Sequence, residues 1–197
     1  MAMSEHFGNP KGAAGRLMLS AMNIGHAPMA RWGLARLTVP QDGAIADIGC
    51  CGGANVKRLL GRSARARVYG VDISEASVEK SRRANRKHLG SRCEIFLGSA
   101  ESLPFSDGSL DLVTAFETVY FWKNIAVCFC EIRRVLKPGG AFAVINDPGC
   151  PDRHWERVIA GMRAYTSAEI AGAMKAAGFS DIKIASRKSI CCVTGIA

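Results

Sequence analysis

The chain has 197 residues and a formal net charge of +9, with 48% hydrophobic and 22% charged residues. This balance is typical of one globular α/β domain and excludes a disordered or collagen-like chain, and no apolar run approaches the roughly 18 residues that a membrane span needs. The positive charge permits an anionic partner without requiring one. Because the first residues carry no apolar signal segment, we expect a cytoplasmic protein.

The cysteines predict thiols rather than a disulfide framework or a metal site. They form two adjacent pairs, one C-x-C and two isolated positions, and no C-x-x-C spacing occurs. Zinc ribbons and small disulfide scaffolds use other spacings. We therefore expect buried, reduced side chains and no bound metal at Cys50, Cys51, Cys93, Cys128, Cys130, Cys150, Cys191 and Cys192.

The first 40 residues differ in pattern from the rest of the chain. Apolar periodicity predicts two helices, at 13–22 and 27–37, separated by a break at 23–26. The stretch at 147–165 is short and leaves little room for a large inserted substrate domain. We therefore expect residues 1–40 to form a helical cap over a binding domain at 41–197.

From residue 41 onward, short apolar runs alternate with longer amphipathic stretches. Ser74 is a candidate helix N-cap, and Thr166 with Glu169 forms a candidate capping box. The Lys-Pro-Gly-Gly run at 137–140 predicts a helix stop and a turn. We predict strands at 44–48, 67–71, 94–97, 110–116, 141–146, 181–186 and 190–195, and helices at 54–60, 75–89, 125–136 and 167–177. This alternation predicts a doubly wound, mostly parallel sheet with helices on both faces.

The first strand runs into a glycine-rich turn, Asp47-Ile48-Gly49-Cys50-Cys51-Gly52-Gly53. Ligands of open α/β sheets bind at the carboxyl ends of the strands. Cys51 replaces the glycine that a dinucleotide fingerprint needs, which argues against NAD, and no phosphate-binding P-loop motif occurs. Asp72 ends the second strand, nineteen residues beyond Gly53. A carboxylate there can accept hydrogen bonds from two ribose hydroxyls.

Three further landmarks follow these two. Together the five segments, 44–55, 68–74, 97–105, 109–117 and 131–140, resemble in order and spacing the class I S-adenosylmethionine-dependent methyltransferases. The resemblance is strongest to the branch that includes the ubiquinone and menaquinone methylases. It implies a Rossmann-like, seven-stranded sheet whose last strand is antiparallel.

The resemblance also implies S-adenosylmethionine as the cofactor, with S-adenosylhomocysteine as the product. Its amino-acid end would lie on the glycine turn, its ribose on Asp72 and its adenine between the second and third strand ends. The implied cofactor-binding residues are Asp47, Gly49, Cys50, Gly53, Asp72, Ile73, Ser99, Ala100, Glu101, Phe116 and Glu117. Two positions depart from the family pattern: Cys51 stands for a glycine, and Ser99 for an aspartate. The serine hydroxyl can still bond the adenine amino group, without charge assistance.

In-line methyl displacement depends mainly on proximity and orientation, and a general base is needed only for a protonated acceptor. The candidates for that base, or for substrate contact, are His26, Glu117 and Tyr120. The aromatic run at 120–122 predicts either a wall for an apolar substrate or ordinary core packing. With no room for a large inserted domain, we expect a small-molecule acceptor.

Three alternatives stay open at this point. The positive charge suggests an RNA methyltransferase, although the chain has neither an N/D-P-P-Y/F motif after the fourth strand nor a Pro-Cys nucleophile, so nucleic acid is not the favoured partner. Converging thiolates at Cys150, Cys191 and Cys192 suggest a metalloid methylase. The departures at Cys51 and Ser99 suggest a cofactor-binding protein without catalysis.

Overall fold

The structure is a computed structural model that describes residues 26–147, 156, 159 and 161–197. The helix predicted at 13–22 lies outside these residues. Of the expected cap, the structure describes the part that begins at His26, which includes one helix. Within the described part of the chain, no helix is both long enough and apolar enough to cross a membrane.

One seven-stranded sheet forms the centre of the protein, with the order β3-β2-β1-β4-β5-β7-β6. Strands β1 to β5 pair in parallel with one another, and β7 is antiparallel to both β5 and β6. The strands are β1 Ala44–Ile48, β2 Arg67–Asp72, β3 Cys93–Leu97, β4 Leu110–Phe116, β5 Leu136–Asn146, β6 Ser180–Arg187 and β7 Ile190–Ile196. The predicted Rossmann-like sheet with an antiparallel last strand is confirmed.

Helices cover both faces of the sheet. Neighbouring residues of a strand point to opposite sides, so a strand that is apolar throughout places apolar side chains on both faces, and each face packs against helices. The helices are α1 Ala27–Leu34, α2 Ala54–Arg62, α3 Glu75–Ala84, α4 Ile125–Val135 and α5 Ser167–Ala176. Ile45 packs with α1, α2 and α3 on one face, whereas its neighbour Ala46 belongs to the core under α4 and α5. The predicted N-cap at Ser74 and the capping box of Thr166 and Glu169 are both present.

Three predicted boundaries are wrong. The helix predicted over 75–89 ends at Ala84, because Asn85 leaves the helical conformation and its side chain bonds to another segment. The helix predicted over 27–37 ends at Leu34. Residues 137–140 belong to the long strand β5, which pairs with β4 across an irregular register, rather than to a free turn.

The sheet order places the site. The chain runs outward from β1 through β2 to β3, and then returns to β4 on the other side of β1. The connections that follow β1 and β4 therefore diverge, and a crevice opens between them at the carboxyl edge. All the predicted landmarks between Asp47 and Glu117 lie at or near this edge.

Candidate functional site

A cavity of about 270 Å³ opens at the carboxyl edge of β1, β2 and β4. Six of the eleven predicted cofactor residues line it: Gly49, Asp72, Ile73, Ser99, Ala100 and Glu101. The wall also contains residues that the motifs did not indicate, namely Thr118, Lys123 and Cys128. These lie on the segment after β4, whose path no local sequence pattern specifies.

Close packing requires glycine at the first position of the loop after β1. Gly49 has a φ of 73°, and a Cβ there would lie 2.1 Å from the Thr118 hydroxyl oxygen. The amides of Gly49 and Cys50 both donate to the Val71 carbonyl, which draws the loop across the end of β2. Cys51 has a φ of 53°, a left-handed conformation that costs a side-chain-bearing residue roughly 1 kcal/mol. The loop therefore adopts a left-handed conformation at Cys51 even though this residue carries a side chain.

Asp72 holds this loop as well as lining the cavity. One carboxylate oxygen accepts the Cys51 amide proton at 2.8 Å, and the other accepts the Ser74 amide proton at 2.9 Å. Burial raises the pKa of Asp72, while these amide donors favour its ionised form. Each oxygen keeps a second lone pair, so the carboxylate can still accept a ligand hydroxyl.

The other five predicted cofactor residues, Asp47, Cys50, Gly53, Phe116 and Glu117, lie outside the cavity wall. Asp47 accepts the Thr114 hydroxyl at 2.8 Å and joins β1 to β4, and burial raises its pKa to about 7. Cys50 and Gly53 face α3, while Phe116 packs in the core on the side of α1. These residues shape the wall from behind.

The adenine side of the expected site is apolar and open. Ile73 lines the cavity with 54% of its surface exposed, which is unusual for an isoleucine. The Ser99 hydroxyl accepts the Glu101 amide proton at 3.2 Å, so this oxygen stabilises its own turn. Cys51, which stands where the family pattern has a glycine, lies outside the wall.

The three predicted catalytic candidates meet at one carboxyl group. Glu117 follows β4 with a left-handed φ of 54°. Its carboxylate accepts the Tyr120 hydroxyl at 3.1 Å and the Asp147 amide, and His26 Nε2 lies 3.8 Å from it. Burial raises the pKa of Glu117 to about 7 and lowers the pKa of His26. Asp147 is a partner that the sequence did not indicate.

Residues of the aromatic run at 120–122 line the cavity and also pack in the core. The turn Val119–Phe121 buries Tyr120 and packs its ring against Phe121 with centroids 4.8 Å apart. Phe121 and Trp122 line the cavity. Trp122 also packs edge-on against Phe129 of α4. The part of the cavity wall formed by Phe121 and Trp122 is therefore aromatic, and Trp122 anchors it in the core.

The described cysteines do not converge. Cys191 and Cys192 are consecutive in β7 and belong to the cores on opposite faces of the sheet. No group of three or more His, Cys, Asp or Glu residues suited to a metal ion occurs among the residues that the structure describes. Cys150 lies outside the described residues.

Comparison with known families places the motifs in context. A family model described as a methyltransferase domain matches residues 46–144, half of the chain. The match begins inside β1 and ends inside β5, so it covers the cavity wall and the glycine loop. It also includes Glu117 and Tyr120.

Curated relatives and solved structures agree with this match. A 24-methylenesterol C-methyltransferase of Oryza sativa is 36% identical over 50% of this chain and 27% of its own length. A 2-methyl-6-phytyl-1,4-hydroquinone methyltransferase of Synechocystis is 30% identical over 78% of this chain and 48% of its own length. The chain thus spans less than half the length of these relatives.

The fold also matches a chain of the solved complex between the Haloferax volcanii Trm112 methyltransferase activator and a methyltransferase. The TM-score is 0.80 with 22% identity, and the match covers 91% of this chain and 93% of that one. At this identity the likeness shows the fold alone.

Proposed function

We propose that this chain, which belongs to the class I S-adenosylmethionine-dependent methyltransferase family, methylates a small-molecule acceptor with an apolar body. One observation carries the proposal: the buried Glu117 carboxyl is linked to the aromatic cavity wall through Tyr120. The Tyr120 hydroxyl donates to that carboxyl, and the Tyr120 ring packs against Phe121, which lines the cavity together with Trp122. An apolar wall binds an apolar body, and a carboxyl at its edge can take a proton from the reacting group. The two relatives named for a sterol and a hydroquinone support this acceptor class.

The cavity fits the cofactor of the family. S-adenosylmethionine, when bound, supplies a methyl group on a sulfonium and becomes S-adenosylhomocysteine. The Asp72 carboxylate would accept its ribose hydroxyls, and Ile73 and Ala100 offer apolar surface to its adenine. Because Gly49 has no side chain, the amino-acid end of the cofactor could approach the loop backbone there. Asp47, Cys50, Gly53 and Phe116 would support these contacts from behind the wall.

Glu117 is the proposed proton acceptor. An acceptor that reacts through a hydroxyl or amine must lose a proton as its heteroatom bonds to the methyl carbon, and the Glu117 carboxylate can receive it. A pKa of about 7 suits a base at neutral pH. Tyr120 and His26 would orient the carboxylate and share its charge.

We also propose that residues 1–40 act as a cap over the cofactor edge of residues 41–197. Two described contacts support this. His26 reaches Glu117, and α1 packs so tightly on β5 that a Cβ on Gly33 would lie 2.6 Å from the Ile145 side chain. The segment before β1 therefore shares a core with the binding domain.

The test is methyl transfer from tritiated S-adenosylmethionine to a panel containing a prenylated hydroquinone, a sterol, a simple phenol, an amino acid and bulk tRNA. We expect label in one or more of the small molecules and none in RNA. Glu79→Gln, at an exposed helix position, is the matched control for Glu117→Gln. Label in RNA alone would contradict the proposal, as would tight cofactor binding without transfer to any member of a widened panel.

A further inference from the structure

The face of α3 that packs against the protein is polar, which is unusual for a buried helix face. Ser77, Ser81 and Asn85 recur every four residues, from the helix to its C-cap, and all three are buried. The adjacent Val78 is the buried apolar side chain of this helix. Buried polar groups cost stability unless they bond to something. We call Ser77, Ser81 and Asn85 the polar stripe.

The polar stripe contacts the glycine loop directly. The Asn85 side-chain amide donates to the Gly53 carbonyl at 3.1 Å and to the Ser81 carbonyl at 2.9 Å. The Ser81 hydroxyl lies 3.8 Å from the Cys50 thiol, within range of a weak hydrogen bond. The stripe therefore holds the loop at two of its five residues.

At Gly53, no side chain separates the loop from the polar stripe. A Cβ on Gly53 would lie 2.4 Å from the Ser81 hydroxyl oxygen and 2.6 Å from the Asn85 side-chain nitrogen. Gly53 also has a left-handed φ of 76° and is the N-cap of α2. The small side chain of Ser81 and the absence of a side chain at Gly53 together allow the backbones of α3 and the loop to approach closely. An apolar side chain at Ser81 would push the loop toward the cavity.

We propose that the polar stripe fixes the glycine loop in the conformation that binds the cofactor, with Asn85 as the positioning residue. Asn85 lies behind the loop and outside the cavity wall, so it acts through Gly53 alone. The inference rests on the cofactor of the proposed function, and it adds a residue that neither the glycine motif nor the Asp72 landmark contains.

A purely structural role for Asn85 would be to end α3. For that role, a bond to the Ser81 carbonyl within the same helix is sufficient, and a serine can make such a bond. The bond to Gly53 spans 32 residues and adds nothing to the helix end. The Asn85 side-chain oxygen, Oδ1, has no hydrogen-bond partner among the described residues, so the side chain is used for its two donors.

The experiment compares three variants by calorimetric titration with S-adenosylhomocysteine, at a temperature where each is folded. Asn85→Ala removes both bonds. Asn85→Ser is too short to reach Gly53 but keeps a bond to the Ser81 carbonyl. Ser63→Ala is the matched control, because the buried hydroxyl that it removes donates to the Leu59 carbonyl and accepts from the Arg92 side chain, away from the loop.

We expect both Asn85 variants to bind S-adenosylhomocysteine about tenfold more weakly, which corresponds to one lost hydrogen bond. Asn85→Ser and Ser63→Ala should both melt below the wild type, because each loses a buried hydrogen bond, but Ser63→Ala should keep the wild-type Kd. Wild-type affinity in Asn85→Ser would overturn the proposal, as would equal weakening in Ser63→Ala. Because no acceptor is present, failure of the small-molecule assignment leaves this result unchanged.

Discussion

Tyr120 donates its hydroxyl proton to Glu117 at 3.1 Å, although the two residues are only three apart and Glu117 has a left-handed backbone. That backbone conformation is what turns the Glu117 carboxyl toward the aromatic turn that follows β4. A side-chain-bearing residue adopts it at a cost, which tertiary contacts must offset. The Asp147 amide, the Tyr120 hydroxyl and His26 provide those contacts.

Glu117→Gln should lower the rate of methyl transfer by about 10²-fold or more, because the amide cannot accept the acceptor's proton. The Kd for S-adenosylmethionine should stay within about twofold of the wild type, since Glu117 lies outside the cavity wall. Single-turnover rates and calorimetry measure the two quantities separately. An unchanged rate would assign Glu117 a structural role.

The same carboxyl should make stability depend on pH. Burial raises the Glu117 pKa to about 7 from 4.5, so the folded state holds this proton more tightly than the unfolded state. Its contribution to stability is complete below pH 4.5 and is lost as the pH rises through 7, by up to about 3 kcal/mol.

Asp47 and Asp72, whose pKa values are also raised, titrate in the same direction. Urea unfolding of the wild type and Glu117→Gln from pH 4.5 to pH 8 isolates the Glu117 contribution, because both proteins keep these aspartates. The wild type should lose more stability than the variant over that range. Parallel pH curves would show that Glu117 titrates in the folded protein as it does in the unfolded chain.

Two glycine-to-alanine substitutions should act in opposite directions. Gly49→Ala places a Cβ against the Thr118 side chain in a left-handed backbone, and should cost about 2 kcal/mol or more along with cofactor binding. Gly172→Ala adds a methyl group to an exposed position inside α5 with open space around it, and should stabilise the protein by about 0.5–1 kcal/mol. Denaturant midpoints decide both signs.

Asp72→Asn should raise the Kd for S-adenosylhomocysteine about tenfold or more. The amide keeps one acceptor oxygen, so it can bond either Cys51 or Ser74 as well as a ribose hydroxyl, and all charge assistance is lost. Asp42→Asn, at an exposed carboxylate paired with Arg65, is the matched control and should bind normally. Equal affinities in the two variants would exclude Asp72 from the cofactor contacts.

The strand positions were predictable because short apolar runs bounded by turn residues carry a strong local signal, and β1 and β4 were predicted to the residue. The end of α3 was not predictable. Arg86 and Lys87, which follow residue 84, favour a longer helix. The hydrogen bond from Asn85 to Gly53, which forms where α3 ends, joins distant parts of the chain.

The site shows the same division between local and long-range information. The motifs located Gly49, Asp72 and Ser99 in the cavity wall, because a strand end specifies where its next residue lies. They could not distinguish wall residues from those behind it, such as Cys50. The approach of His26 to Glu117 joins residues 91 positions apart, and only the fold brings them together.

The position of β7 constrains the order in which the sheet can be completed. Strand β6 precedes β7 in the chain but, among the described strands, pairs only with β7. Of these two strands, β7 is the one that pairs with β5. During synthesis, β6 therefore emerges with no strand to join. Strand β6 can join the sheet only after β7 has been synthesised, and the two strands then dock as a hairpin. This edge of the sheet therefore assembles after the cofactor edge, whose strands all come earlier in the chain.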